Sequence, residues 1–320
     1  MISRAALVIL LLCAGNAFAQ APYPTKPVRI LVGFGAGGGI DIVARIYAPR
    51  LTEALGQSFV VENRPGAGGT LATDLLAKAA PDGYTLLAVS VTHSINATLY
   101  TKLPYDSVKS FTPITPLALQ ADVIAVHPSL PVKSLRELIA LAKSNPKDLS
   151  YAHAGNGTLM HVGFELFLSM AGIKMLAVPY NGSGPSTVAT LGGQVPVLST
   201  SLPPSLPHAR AGKLRILAVT SAQRTPLAPD LPTVNEAAGF KDYEAIVWVG
   251  LLAPAGTPAA VVNRINAEVE RLQQTRELKE HMASQSTDPF RDTPAGFANL
   301  IRNDIVKWGK IVRDTGLKAD

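Results

Sequence analysis

Short apolar runs alternate along this chain with stretches whose apolar residues recur at helical spacing. Val28–Val32 is a compact apolar run ending in glycines, and Ile40–Leu55 has the spacing of a helix. A strand at Ser58–Glu62, a helix at Thr70–Ala79 and a strand at Thr85–Ser90 follow, the last announced by the turn signal Asp82-Gly83. Apolar strands separated by helices predict an α/β fold with parallel sheets covered on both faces. The segment 100–126, broken by Pro104, Pro113 and Pro116, is weakly patterned. The alternation then restarts with a helix at Leu135–Lys143, a strand at Leu149–Ala154, a helix at Leu159–Met170 and a strand at Met175–Pro179. A helix at Pro185–Leu191 and strands at Val195–Ser199, Leu214–Thr220 and Ala245–Ala253 complete it. Beyond Pro254 only helices are predicted. Thr257 is read as the cap of the first, with Pro258 at its opening position, and Val261, Ile265, Val269 and Leu272 form its apolar face. Phe297, Ile301, Ile305, Trp308 and Val312 form that of the last.

One arrangement occurs twice. Val28–Gly39 and Leu149–Thr158 both run strand, glycine-rich turn, helix start. Two lobes are therefore expected, each presenting a helix N-terminus, with the chain crossing between them near 115–126 and again near 243–252. The first lobe would be discontinuous, residues 20–121 with 246–320, and the second would be residues 122–245.

The first nineteen residues predict a cleaved export signal. Arg4 precedes an apolar core around Val8–Leu12, and Ala17-Phe18-Ala19 is a small-x-small cleavage site, placing the new N-terminus at Gln20. Removing them leaves 301 of the 320 residues, takes away Cys13, and lowers the formal charge from +6 to +5 with the loss of Arg4. A chain without cysteine has no disulfide, thiolate nucleophile or cysteine-bound metal. The expected location is the periplasm, where nucleotide cofactors are scarce. The composition, 47% apolar and 16% charged, excludes a disordered chain. Twenty-nine basic residues suggest nucleic acid, but no four stand together, so a mildly basic soluble surface is expected and no nucleic-acid partner.

Gly33-Phe34-Gly35-Ala36-Gly37-Gly38 matches GxGxxG between a strand and a helix, and Glu62 ends the next strand. A nicotinamide-dependent oxidoreductase is thus one reading. Export and the lack of an obvious hydride-transfer acid/base pair weigh against it. In either reading, consecutive glycines bring backbone N–H groups close to a ligand, and the following helix adds partial positive charge, so the turn suits any anion, carboxylates included. Asp41, at the helix start, either caps the first free amides or contacts a ligand amine.

Several motifs occur in order along the chain: Val28–Phe34 with Gly37–Arg45, Val60–Gly69, Pro81–Leu87, Gly155–His161, Val178–Gly182 and Ala253–Pro258. In these the sequence resembles the tripartite tricarboxylate transporter receptors, also called the Bug or TctC family, over essentially its whole length after the leader. The resemblance implies a two-lobed periplasmic binding protein of the type II, Venus-flytrap kind, with two crossover hinge segments. It implies capture of a small carboxylate (a di- or tricarboxylate, an aromatic acid or an acidic amino acid) and delivery to the permease subunits of a tripartite tricarboxylate transporter. Carried over by position, the implied ligand contacts are Gly35, Ala36, Gly38, Asp41, Ala67, Gly68 and Thr92 from the first lobe. Those from the second are Gly155, Asn156, Thr158, His161 and Tyr180. One departure stands out. Where the family carries acidic residues after Gly192-Gly193-Gln194-Val195, this chain has Pro196 and Thr200, which leans away from amine recognition.

Other chemistry is thin. His93, His127, His153, His161, His208 and His281 form no HxxxH or HExxH pair, so no metal site is expected. No GxSxG elbow exists, and Ser183, flanked by glycines, reads as a turn feeding the next helix. Trp248 and Tyr180 are either core residues or an apolar ligand wall. The expectation is a monomeric receptor without catalytic residues or cofactor, not an enzyme. A ligand-binding module for a membrane sensor is the other non-enzymatic reading.

Overall fold

The computed structural model of this chain describes residues 23–145, 148–285 and 287–319. The expected signal peptide, residues 1–19, lies outside them. The sheet begins with the apolar run: β1 (Val28–Val32) buries four of its five side chains and is hydrogen-bonded in parallel to β2 (Phe59–Asn63) and β3 (Thr85–Ser90). Burial on both faces is what a continuous apolar strand predicts. Helix α1 (Gly39–Leu55) covers this sheet with Val43, Tyr47, Leu51 and Leu55, and ends at Gly56, whose φ of 72° supplies the left-handed cap. A 3-10 turn (Ala67–Gly69) leads into α2 (Thr70–Ala77), and α3 (Thr92–Leu99) follows β3.

The segment 100–126 departs from the sequence reading. Its second half is β4 (Phe111–Val126), a sixteen-residue strand. Two prolines are tolerated because the ladder slips beside each, between Pro113 and Thr115 and between Pro116 and Ala118, and a bulge needs no donor there. This strand joins the two halves. Its residues 111–121 pair antiparallel with β9 (Ile246–Pro254) in the first sheet, and residues 122–126 pair antiparallel with β7 (Val197–Ser201) in the second. The complete order is β2-β1-β3-β9-β4-β7-β5-β6, with β8 (Arg215–Val219) and β10 (Asp288–Pro289) pairing β4 off this path. In the second half, β5 (Ser150–His153) is parallel to β6 (Leu176–Pro179) and to β7.

The purely parallel expectation is thus corrected. Each half is parallel in its local βαβ units and antiparallel where a strand arrives from the other half, because β9 and β4 run past each other in opposite directions. Two boundaries also move. β7 starts at Val197, two residues later than predicted, since Pro196 has no N–H and its carbonyl accepts from His127. The helix after Pro258 starts at Ala259, and the Thr257 hydroxyl donates back to the Pro254 carbonyl instead of capping it.

The remaining helices are α4 (Leu135–Ser144), α5 (Leu159–Ala171), α6 (Ser183–Leu191), α7 (Leu202–Arg210), α8 (Val234–Ala238), α9 (Ala259–Gln274), α10 (Arg276–Ser284) and α11 (Pro294–Thr315). The last packs as its spacing predicts, burying Phe297, Ile301, Trp308 and Val312. Trp248 belongs to the core: it meets Phe297 edge-on at 5.3 Å and donates to Asp304 Oδ2 at 2.6 Å. Gly250, opposite Pro116 in the β4–β9 ladder, makes room for Phe297. A Cβ there would stand 2.8 Å from the ring Cε1 and 3.0 Å from the Thr115 carbonyl oxygen. Gly250→Ala is expected to cost about 2–3 kcal/mol through overpacking, read as a lower urea midpoint at unchanged slope.

Candidate functional site

Five helices begin at one cavity. Gly38, Gly39 and Ile40 at the start of α1, Thr92 at that of α3, and Thr158, Leu159 and Met160 at that of α5 line it. Gly182 and Ser183 at the start of α6, and Ser201, which precedes α7, complete the ring. Gln120 of β4 with Val247 and Val249 of β9 form the floor, and Phe34 and Val91 add apolar wall. The volume is about 200 Å³, below the roughly 300–1,000 Å³ of drug-sized pockets. No lining residue is charged.

In none of these five helices does the N-cap residue's own side chain cap the first amides, although the Thr92 amide at the start of α3 donates to Ser90 Oγ at 3.3 Å. Away from the cavity, Ser134, Thr233, Thr275 and Thr293 cap α4, α8, α10 and α11 through their hydroxyls. Two further helices, α2 and α9, also lack a side-chain cap. A helix start leaves leading N–H groups without a partner in the helix, so these starts bring main-chain donors and the positive ends of five dipoles to the cavity. Helix α7 brings the fewest donors, because its second and third residues are Pro203 and Pro204.

The first glycine turn is held by Asp41. Its carboxylate accepts from the Gly37 amide at 2.8 Å, from Arg45 Nε at 3.0 Å and from Asn63 Nδ2 at 2.9 Å. Burial alone would raise its pKa, but these hydrogen bonds and the Arg45 charge bring it below the usual carboxylate value. Both oxygens serve the loop, and the side chain is 2% exposed. Behind it the first glycine loop touches the backbone of the turn that precedes α2, since a Cβ on Gly33 would lie 2.7 Å from Gly69 Cα. Glu62, the ribose-binding candidate, is paired with Arg29 and Arg64.

The second glycine turn is held by two histidines. His153 Nδ1 accepts from the Gly155 amide at 3.2 Å, and His161 Nδ1 from the Gly157 amide at 3.3 Å. Their rings stack at 4.2 Å between centroids, 8° from parallel. Burial lowers their pKa values to about 4 for His153 and about 3 for His161, so both are neutral imidazoles protonated on Nε2. Gly155 and Gly157, at φ 126° and 76°, need the conformational freedom of glycine.

Of the sequence-derived candidates, Gly38, Thr92 and Thr158 line the cavity. Gly68 lines a smaller cavity of about 20 Å³ beside it, again with Thr92, and gives its carbonyl to Asn96 Nδ2. Ala67 opens the 3-10 turn at φ 46° and is exposed. Gly35 and Ala36 lie exposed on the first loop, outside the lining, and on the turn after β5 half-buried Gly155 and exposed Asn156 also lie outside it. Tyr180 is half-buried against a cluster formed by Ala125, Ala152 and Leu198. Asp41 and His161 act inside the loops. Sequence reasoning missed Gln120, Met160, Ser183 and Ser201 as lining residues; the first lies in the weakly patterned segment, where a crossing between lobes but no site residue is expected.

Residues 43–317 match the tripartite tricarboxylate transporter family receptor. Protein BugT of Bordetella pertussis is 35% identical over 298 residues, covering 92% of this chain and 91% of that one. Two solved structures from Rhodopseudomonas palustris superpose closely. Rpa4515 with adipate has a TM-score of 0.84 at 35% identity, covering 92% of this chain and 99% of its own. MatC (Rpa3494) with bound malate has a TM-score of 0.80 at 32% identity, covering 91% and 100%. No helix among the described residues is long and apolar enough to cross a membrane.

The histidine pair predicts an acid sensitivity. Both imidazoles titrate below the ordinary 6.5 when folded, so between these limits the unfolded chain binds more protons and stability falls as pH drops from 6.5 toward 4. His161→Asn keeps an acceptor for the Gly157 amide and should remove about 1 kcal/mol of that loss per pH unit, measured from urea midpoints at successive pH values.

Proposed function

Because this chain belongs to the tripartite tricarboxylate transporter receptor family, we propose that it is a periplasmic receptor that captures a small dicarboxylate and presents the closed complex to a membrane permease. The convergence of five helix N-termini, none capped by the side chain of its own N-cap residue, on one uncharged cavity carries this reading. Each helix start acts as roughly half a positive charge, and a ligand with two carboxylates has enough acceptors to take amides from several. The walls between these donors are apolar (Phe34, Ile40, Leu159, Met160 and Val247). They favour a methylene spacer, as in the adipate bound by Rpa4515, over the hydroxylated malate of MatC.

The two lobes are residues 20–121 with 246–320, and residues 122–245, meeting where β4 passes from one sheet to the other. Helix starts from both sides engage the ligand together only when the lobes are closed, and that difference is what lets the ligand stabilise closure. No nucleophile–base pair lines the cavity, and capture needs no covalent step. In this reading the protein acts as a monomeric binding protein and not as an enzyme, needs no cofactor, and is exported by its leader with cleavage behind Ala19. The pairing of Glu62 with Arg29 and Arg64 leaves the GxGxxG turn without its ribose acid, which favours the receptor over the oxidoreductase.

A thermal-shift panel of adipate, malate, citrate, aspartate and benzoate checks the ligand class. Adipate is expected to give the largest shift, about 2.7 kcal/mol at a hundredfold excess over Kd, and a panel without any shift overturns the reading. Gly38, at φ −74° and ψ 162°, sits in backbone space open to valine. A Cβ there would stand 3.3 Å from the Gly35 carbonyl oxygen, so Gly38→Val should fold after a small shift of the turn yet weaken adipate binding by at least about tenfold by filling the lining at the start of α1; calorimetry with unchanged affinity counts against this placement.

A further inference from the structure

Asp122 stands where β4 passes from the first sheet to the second, and its surroundings do not account for it. The backbone is well held: its N–H donates to Thr220 Oγ1, and its carbonyl accepts from the Thr220 amide and hydroxyl. The side chain is 2% exposed, and neither carboxyl oxygen makes a well-formed hydrogen bond, with the Ser201 hydroxyl across the ladder close enough to act on it. An unpaired carboxylate so buried is costly, which pushes its pKa up to about 7, with the Ser201 hydroxyl offsetting part of the rise.

Strand alternation sets the direction of this side chain. Gln120, two residues earlier on β4, lines the ligand cavity, whereas Ala121 lines a separate cavity behind the strand. Asp122 shares the face of Gln120. Directly across the ladder is Ser201, which itself lines the ligand cavity. Opposed residues of an antiparallel pair bring their Cβ atoms to about 5 Å, so Ser201 is both a neighbour of the Asp122 side chain and part of the cavity wall.

We propose that Asp122 sets the Ser201 hydroxyl for the ligand, so that carboxylate capture and proton uptake at Asp122 occur together. As a neutral acid, Asp122 donates to Ser201 Oγ and leaves the hydroxyl proton free for a ligand carboxylate. As a carboxylate, it takes that hydroxyl proton as a hydrogen bond for itself and faces the ligand with like charge. The proposal rests on the carboxylate-receptor reading above.

The neighbouring ionisable groups leave this arrangement intact. The Tyr243 phenol donates to the Gly163 carbonyl and stays protonated, held well above its ordinary pKa by burial and then by the charge of Asp122. On α5, His161 is committed to Gly157 and Glu165 accepts from the Tyr151 hydroxyl. Arg224, Glu244 and Asp288 line the cavity on the opposite face of β4. On α11, Asp304 accepts from Trp248 and Lys307 donates to the Glu244 carbonyl. His208 sits in the last turn of α7, whose first residue follows Ser201. None of them donates to Asp122.

The sign follows directly. If the liganded state prefers the neutral acid, affinity is full below the free-state pKa and falls by up to about tenfold per pH unit above it. Adipate titrated calorimetrically into the intact protein, in buffers of different ionisation enthalpy, should show proton uptake at neutral pH and weaker binding at alkaline pH. Asp122→Asn imitates the neutral acid and should keep the low-pH affinity at every pH with no proton uptake. Ser201→Ala should lose affinity at low pH. Wild-type binding with no uptake, or an unchanged pH slope in Asp122→Asn, overturns the proposal while leaving the receptor reading standing. The 13C carboxyl resonance of Asp122 in ligand-free protein tests it independently of any ligand: titration in the range of an exposed aspartate overturns it, and titration near neutrality supports it.

Discussion

The ladder between β4 and β9 is the constraint on which the rest of the molecule depends. Everything before Phe111 reaches the second sheet through β4, and everything after Ile246 returns through β9. Thr220 ties the passage together, giving its amide to the Asp122 carbonyl and accepting from the Ala245 amide. Because both strands run under the cavity, the same residues that join the halves also supply the floor of the site, Gln120 on one strand, Val247 and Val249 on the other. Packing serves the seam as well: Gly250 admits Phe297, and the Trp248–Asp304 hydrogen bond fixes the last helix against it.

Around that seam the two glycine turns solve one problem by different means. Each must hold an irregular backbone still so that the helix behind it starts at the right place. The first uses charge, a buried Asp41 drawing together Gly37, Arg45 and Asn63. The second uses neutral acceptors, the stacked His153 and His161. In both, the side chain that looks most like a ligand contact in the sequence is engaged in fixing the loop. The ligand-facing work falls to backbone amides and small hydroxyls.

Much of the architecture is legible in the sequence because periodicity reports burial. The βαβ units around Val28–Ser90 and Ser150–Ser201 are marked by apolar runs, and the glycine turns by composition. The strand at 111–126 is not legible, since Pro113 and Pro116 are strand breakers in every local rule and only the bulges opposite β9 make them harmless. Helix α7 is equally hidden, because a segment opening Leu202-Pro203-Pro204 and containing Pro207 carries helix-breaking residues. Within the cavity, Gly38, Thr92 and Thr158 could be found because they flank recognisable turns. Gln120 and Ser201 could not. Their place follows from register with strands distant in the chain, Gln120 opposite Val247 and Ser201 opposite Asp122, which no local pattern records.

The absence of charged side chains from the cavity lining has an evolutionary consequence. Main-chain amides are present in every residue except proline, so the affinity for negative charge cannot be abolished by exchanging an arginine or a lysine, and it need not be rebuilt when the ligand changes. Variation is free to act on Phe34, Ile40, Gln120 and Met160, which shape the space between the donors. A lineage built this way can diversify the acids it accepts by small changes of volume and polarity while inheriting the apparatus for holding them intact.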